Sequence, residues 1–239
     1  MTTGLLDLPA PLYTALDRAL AGALPPLGRL AAWAALGAVV SVLLYRALSP
    51  QRRIAQAKAR AQALRAQLDT YEGEFAQALP LLRAQFGASL RHVGLVLPGT
   101  LLASLPVLTL LVWLDSAYAY RLPGVGEPAP VLSVSPPHLA ARWQAEPPGV
   151  TVVDGARTIA QLALTVPVTR VEQRAWWNAL IANPVGYLPA GGVARRLEIG
   201  LPAQRYLDFG PPWLGSWLTV FLTVLAAVSL AVHRLARVE

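Results

Sequence analysis

The side chains that most often carry catalysis or hold metals are few and scattered in this chain. The sequence contains no cysteine, and its three histidines, His92, His138 and His233, stand apart from one another and from any pair of carboxylates. Because transition metals need several such ligands at short spacing, we expect no metal site and no cofactor. Gly191-Gly192 is too short for a phosphate-binding loop, and no serine lies in a nucleophile elbow. The sequence therefore predicts a protein that is not an enzyme.

The polar residues of greatest interest lie inside or beside long apolar segments. Arg46 is the charge nearest the interior of such a segment, where it either lines a hydrated groove or reaches the lipid headgroups. Hydroxyl side chains either give a groove its polarity or bond the backbone of their own helices. The candidate groove residues are Arg46, Ser41, Thr100, Ser104, Thr109, Thr219 and Thr223. Pro98 and Pro106 are expected to bend the second apolar segment, because each removes a backbone hydrogen bond.

Three apolar segments, 28–48, 93–114 and 213–233, dominate a composition that is 55% hydrophobic and 14% charged. The mean hydropathy is +0.46. Each segment is close to the ~20 residues that a helix needs to cross the hydrocarbon core of a bilayer. The sequence thus predicts an α-helical membrane protein with three transmembrane helices. Three buried helices of a soluble protein are the weaker alternative, because a chain of 239 residues offers few polar partners to cover them.

The distribution of charge predicts the orientation. Between the first two spans, residues 51–65 contain five basic residues and no acidic one. Because basic loops stay in the cytoplasm, the segment 49–92 and the basic tail 234–239 should lie there, with the N-terminus outside. This placement accounts for the net charge of +7 without nucleic acid, which is not an expected partner. We expect the chain in the cell (inner) membrane of a bacterium or archaeon.

Smaller helical elements flank the spans. Within the N-terminal segment 1–27, residues 9–24 have the apolar spacing of an amphipathic helix, which either lies in the outer interface or packs against the protein. The cytoplasmic segment 49–92 is rich in residues that favour helices. It is predicted to form a coiled-coil-like helical hairpin, with a first helix at 51–68, a turn at 69–73 and a second helix at 74–90.

The segment 115–212 has the alternation and turn residues of a small extracytoplasmic domain that is mostly β. The predicted elements are strands at 131–134, 150–153, 159–166 and 194–199 and one helix at 170–182, which carries Trp176 and Trp177.

The order of these parts resembles the YidC/Oxa superfamily of membrane-protein insertases. It is most similar to the three-span branch, the archaeal YidC-like proteins and the third subunit of the eukaryotic ER membrane protein complex. One likeness is a span that leads directly into a basic hairpin, Tyr45-Arg-Ala-Leu-Ser-Pro-Gln-Arg-Arg-Ile-Ala. Others are the proline-bearing second span, Leu97-Pro-Gly-Thr-Leu-Leu-Ala-Ser-Leu-Pro, and the interfacial helix. Arg46 lies nearer the end of its span than the groove arginine of the family does.

This resemblance implies an insertase, or a chaperone-like protein, that helps hydrophobic client segments enter the bilayer through a hydrated groove in the inner leaflet. The hairpin would then bind clients through Arg52, Arg53, Lys58, Arg60, Leu64, Leu68, Phe75 and Leu79. The implied partners are membrane lipids, hydrophobic client proteins, and the ribosome or other membrane subunits.

A non-catalytic accessory subunit of a larger membrane complex is the alternative function. In that case the extracytoplasmic domain would dock through Trp143, Trp176 and Trp177, because exposed tryptophan is enriched at interfaces, and the hairpin would be a spacer.

Overall fold

The computed structural model describes residues 4–73, 75–124 and 126–236. Within these ranges, three helices are long and apolar enough to cross a membrane: Pro26–Leu48, Ala78–Tyr118 and Trp217–Leu235. The prediction of three helices that are able to span a membrane is confirmed, and their number indicates a multi-pass membrane protein.

Proline precedes or opens several of the helices. The α-helices of the described residues are, in chain order, α1 (Ala10–Ala21), α2 (Pro26–Leu48), α3 (Gln51–Asp69), α4 (Phe75–Tyr118) and α5 (Trp217–Ala236). Pro9 precedes α1, Pro26 opens α2 and Pro50 precedes α3, where a missing backbone N–H removes no helical hydrogen bond. Two short 3-10 turns, Leu5–Asp7 and Trp176–Ala179, complete the helical elements of the described residues.

The helix α4 runs without interruption for 44 residues. The segments predicted at 74–90 and 93–114 are therefore parts of one helix, although Glu74 lies outside the described residues. At 1.5 Å per residue α4 is about 66 Å long, roughly twice the hydrocarbon thickness of a bilayer, so a bilayer crossed at a right angle would enclose about half of it. Pro98 and Pro106 lie inside α4, which continues through both. Bending at these prolines stays a prediction.

The segment between α4 and α5 forms a small domain of two three-stranded antiparallel sheets, which confirms its mostly-β character. Its strands are β1 (Val131–Ser135), β2 (Ala140–Gln144), β3 (Gly149–Asp154), β4 (Arg157–Ala163), β5 (Arg170–Glu172) and β6 (Arg196–Gly200). The strand orders are β1-β6-β5 and β2-β3-β4. Buried side chains of both sheets, among them Val150, Val152, Val171 and Leu197, share one hydrophobic core.

The prediction of a helix at 170–182 is wrong. Val171 is buried between two less buried neighbours, the period of a strand, and β5 pairs with β6 there. The helical part of the segment is limited to one 3-10 turn, in which the Asn178 side chain accepts a hydrogen bond from the Ala175 N–H. The strand β2 was not predicted, because Trp143 is the only strong strand-former in its sequence.

The chain divides into two compact units. The first, Met1–Ala32 with Leu108–Thr223, contains α1, the last turns of α4 and the β domain. The second, Trp33–Val107 with Val224–Glu239, contains most of α2, α3 and the greater part of α4. We call them the β-domain unit and the helical unit.

Candidate functional site

In the helical unit, one face of α4 carries a row of exposed apolar side chains. Phe86 is 70% exposed and Leu90 is 62% exposed. The row consists of Leu79, Leu82, Phe86, Leu90, Val93, Leu97, Leu101 and Leu105. Successive members are three or four residues apart, so they form a single stripe about 39 Å long. The first four precede Arg91 and lie outside the predicted span, and we call the whole row the α4 stripe.

A different face of α4 packs closely within the helical unit through small residues. Ala88, Gly99 and Ala103 are buried there. A Cβ atom on Gly99 would lie 2.0 Å from the Ser49 Oγ and 3.2 Å from the Ser49 Cβ, so any larger residue would force Ser49 to move. The Ser41 hydroxyl donates a hydrogen bond of 2.6 Å to the Ala103 carbonyl and so links α2 to α4.

The helix α3 has a covered apolar side and a solvated basic side. Ile54 and Ala57 are buried, whereas Leu64 and Leu68 are half-buried. Its basic side chains are all exposed: Arg52, Arg53, Lys58, Arg60 and Arg65. Among the predicted client-binding residues, Leu79 is thus more accessible than Leu64 or Leu68, and the side chain of Phe75 lies outside the described residues. The packing of α3 and α4 as a cytoplasmic hairpin stays a prediction.

The predicted groove residues are distributed over both units. Arg46 is exposed and belongs to the helical unit with Ser41, Thr100 and Ser104. The Thr100 hydroxyl donates to the Val96 carbonyl at 3.1 Å, and the Ser104 hydroxyl donates to the Leu101 carbonyl at 2.8 Å. These two hydroxyls therefore have the backbone-bonding role that is common in helices.

The three remaining groove candidates lie in the β-domain unit. Thr109 shares a hydrogen bond of 2.9 Å with the Tyr13 hydroxyl, which ties α4 to α1. Thr219 donates to the Trp213 carbonyl and Thr223 donates to the Thr219 carbonyl, both at 2.8 Å. Each predicted groove hydroxyl thus has a partner within the protein.

In the part of the helical unit that the structure describes, buried polar atoms without a hydrogen-bond partner lie on either side of the contact between Ser49 and α4. They include the Ser49 Oγ, in a side chain that is 6% exposed, and the His92 Nδ1. His92 lies seven residues before Gly99 on α4, and thus on the face that meets Ser49. Buried polar atoms that lack a protein partner are commonly satisfied by water, so the junction of α2, α3 and α4 is a place suited to internal water.

The β-domain unit contains a polar cluster that the sequence did not reveal. The Arg29 guanidinium of α2 pairs with the Asp17 carboxylate of α1 at 2.5 Å, and the two side chains are 19% and 14% exposed. The Tyr118 hydroxyl of α4 donates a short hydrogen bond to the other Asp17 oxygen. The Arg29 guanidinium also lies 5.7 Å from the centre of the Tyr118 ring, a cation–π distance. One carboxylate thus joins three helices.

Further aromatic contacts extend this cluster. The Trp113 indole N–H donates to the Thr14 hydroxyl at 3.0 Å. The Tyr206 hydroxyl donates to the Tyr118 carbonyl at 2.9 Å, and burial raises the pKa of Tyr206 above its ordinary value. Arg29 and Tyr118 lie near the ends of apolar segments, which was a visible signal in the sequence, but their contact with Asp17 depends on tertiary structure.

The amphipathic helix α1 exposes its apolar face and directs several polar side chains toward the protein. Tyr13, Thr14 and Asp17 contact the protein, whereas Leu12 and Leu16 are exposed. A second exposed apolar group surrounds the 3-10 turn of the β domain: Trp176, Trp177, Leu180 and Ile181. The two groups are adjacent, because the Leu6 N–H donates to the Leu180 carbonyl and Asp7 accepts from the Ala182 N–H. We call this combined surface the apolar rim.

Comparison of the sequence and structure with protein-family models, with curated proteins and with solved structures finds no match.

Proposed function

We propose that this protein helps hydrophobic segments of client proteins enter the bilayer, as an insertase or chaperone-like protein. The α4 stripe carries the proposal. It is long, exposed and apolar, and it continues from the segment before Arg91 into the predicted second span. A client segment bound at Phe86 and Leu90 could move along the stripe into lipid without crossing a polar surface.

The polar features of the helical unit support a hydrated path beside this stripe. Hydration of the junction at Ser49 and His92 and the exposed charge of Arg46 would let a polar client tail avoid bare hydrocarbon. An unsatisfied polar group in hydrocarbon costs several kcal/mol, so even a shallow hydrated path lowers the barrier to transfer. The bonded hydroxyls of Thr100 and Ser104 contribute little to such a path.

The proposed orientation places α3 and the first half of α4 in the cytoplasm and the β domain outside. The concentration of exposed basic side chains on α3 supports it by the positive-inside rule. In this orientation the first four residues of the α4 stripe face newly synthesised proteins. The same basic side chains suit anionic lipid headgroups or a ribosome surface.

The exposure of Trp176, at 85%, favours the accessory-subunit alternative more than any other feature. Trp143, by contrast, is partly buried and packs against the core of the β domain, which makes it a weaker candidate for docking. The apolar rim joins Trp176 to the exposed face of α1, and tryptophan is also enriched where proteins meet lipid headgroups. We therefore assign Trp176 to the membrane interface.

The test is insertion of a client with a short translocated tail into vesicles that contain the purified protein. Phe86→Glu and Arg46→Ala should each reduce the inserted fraction several-fold, the first by placing a charge in the apolar path and the second by removing the charge of the groove. The matched control is Val131→Glu, which changes an apolar side chain that is 81% exposed on the β domain.

Equal insertion by Phe86→Glu, Arg46→Ala and the unaltered protein would contradict the proposal. The accessory-subunit function would be favoured instead if the protein copurifies with a stoichiometric partner and Trp176→Ala abolishes this association.

A further inference from the structure

A large cavity lies in the β-domain unit, apart from the α4 stripe. It has a volume of about 1020 Å³ and lies between α1, the last turns of α4 and the loop that carries Trp177. Pockets of this order accommodate small ligands. Its wall is mostly apolar and aromatic, with Trp113, Tyr120 and Trp177 among the lining residues.

Most of the charged side chains that line the cavity are already paired or capped. Asp7 accepts from the Ala182 N–H at 2.6 Å. Arg170 pairs with Glu198 at 3.2 Å, and Glu172 pairs with Arg196 at 2.8 Å. These three side chains are engaged in hydrogen bonds or ion pairs within the protein, so they are less available to bind a ligand.

Two other charged side chains of the cavity lack such a partner among the described residues. Arg18 on α1 and Asp115 on α4 both line it, and neither side chain has a hydrogen bond or ion pair with any residue in the described ranges. They are not paired with each other. One free cation and one free anion in the same cavity complement a ligand that carries both charges.

The position of the cavity indicates where such a ligand comes from. Trp177 and Ile181 line the cavity and also belong to the apolar rim. Ala15 of α1 lines it too, beside the exposed Leu16. The cavity therefore borders the surface that we assign to the membrane interface, where lipid headgroups are the most concentrated zwitterions.

We propose that the cavity binds the headgroup of an aminophospholipid, with its phosphate on Arg18 and its primary ammonium on Asp115. Arginine donates paired hydrogen bonds to phosphate, and an ammonium donates charge-assisted bonds to a carboxylate. The aromatic residues that line the cavity, Trp113, Tyr120 and Trp177, are also compatible with a bound cation. A choline headgroup lacks the N–H donors and a glycerol headgroup lacks the cation, so both should bind more weakly. This site does not depend on the insertion function.

The test titrates the full-length protein in mild detergent with short-chain phosphatidylethanolamine, phosphatidylcholine or phosphatidylglycerol and counts bound lipid by native mass spectrometry. Phosphatidylethanolamine should bind about tenfold more tightly than the other two, the effect of one charge-assisted hydrogen bond. Asp115→Asn should remove about this tenfold advantage, because only phosphatidylethanolamine has the primary ammonium. Arg18→Gln should weaken the binding of all three lipids, because all of them carry the phosphate. Because both side chains are exposed and unpaired, neither change should alter the thermal unfolding of the protein.

The matched controls are Arg174→Gln and Asp208→Asn, which change exposed residues outside the cavity lining and should leave binding unchanged. Equal binding of the three lipids, or no loss in either cavity variant, would overturn the proposal. Free glycerophosphoethanolamine has the same phosphodiester and ammonium charges as the lipid, without the acyl chains. If this compound binds as tightly as the lipid does, the ligand is not specifically a membrane lipid and that part of the proposal is overturned. Much weaker binding of the compound supports a lipid as the ligand.

Discussion

Replacement of Asp17 by asparagine should destabilise the β-domain unit far more than loss of an exposed charge does. The Asp17 carboxylate faces the Arg29 guanidinium at 2.5 Å, and the two side chains are only 14% and 19% exposed. Removing one partner of a fully buried pair costs about 3–5 kcal/mol, because the other charge stays buried without a counter-charge. With some solvent access remaining, we expect Asp17→Asn to lower the free energy of unfolding by about 2–3 kcal/mol.

The assay is unfolding in mixed micelles of dodecyl maltoside and sodium dodecyl sulfate, followed by tryptophan fluorescence. Glu127→Gln is the matched control, because Arg121 and Glu127 form an ion pair of similar length, 2.6 Å, with side chains that are 49% and 42% exposed. This control should cause no measurable change. The double variant, Asp17→Asn with Arg29→Gln, should lose less free energy of unfolding than the sum of the losses in the two single variants. An Asp17→Asn effect as small as that of Glu127→Gln, or simple additivity, would refute the reasoning.

The same assay measures several smaller effects. Ser41→Ala should cost about 0.6 kcal/mol, typical of a hydrogen bond between membrane helices, and no change would mean that the bond to Ala103 does not link α2 and α4 in the membrane. Gly99→Ala should cost about 1–3 kcal/mol by overpacking against Ser49, and Ser49→Ala should relieve part of this cost; a tolerated alanine would argue against the close contact. Because burial raises the pKa of Tyr206 in the folded state, stability should be intact below the ordinary tyrosine pKa of ~10 and should fall as the pH rises above it. Tyr206→Phe should reduce that alkaline fall, and an unchanged pH profile would assign the fall to other groups.

The spans were predictable because the bilayer imposes a simple rule of length and composition. Apolar segments such as 28–48 have no other stable arrangement in a chain with so little charge, and the helix α2 occupies 26–48. The merging of two predicted helices into α4 was not foreseen, since a polar pair such as Arg91 and His92 is compatible with either a turn or a helix. The strand period is likewise easy to miss in β5, which has only three residues.

The candidate sites were less accessible to sequence reasoning. The exposure of Phe86 and Leu90 depends on which face of α4 the other elements cover, and a list of apolar positions does not contain that information. The hydroxyls were recognised correctly as candidates for backbone bonds, but the link from Ser41 to Ala103 joins residues 62 positions apart. The pairing of Asp17 with Arg29 and Tyr118, and the shared cavity of Arg18 and Asp115, arise only when distant segments meet.

The most direct test of the insertion function is photocrosslinking from position 86 of α4. A photoreactive phenylalanine analogue in place of Phe86 would be illuminated while a hydrophobic client segment is synthesised in the presence of membranes that contain the protein. The same analogue in place of Val131 serves as the control. We predict a crosslink to the client from position 86 that moves to position 97 as the client lengthens, and none from position 131. Crosslinks from position 86 to lipid or to a stable partner protein, with none to the client at any length, would contradict the account.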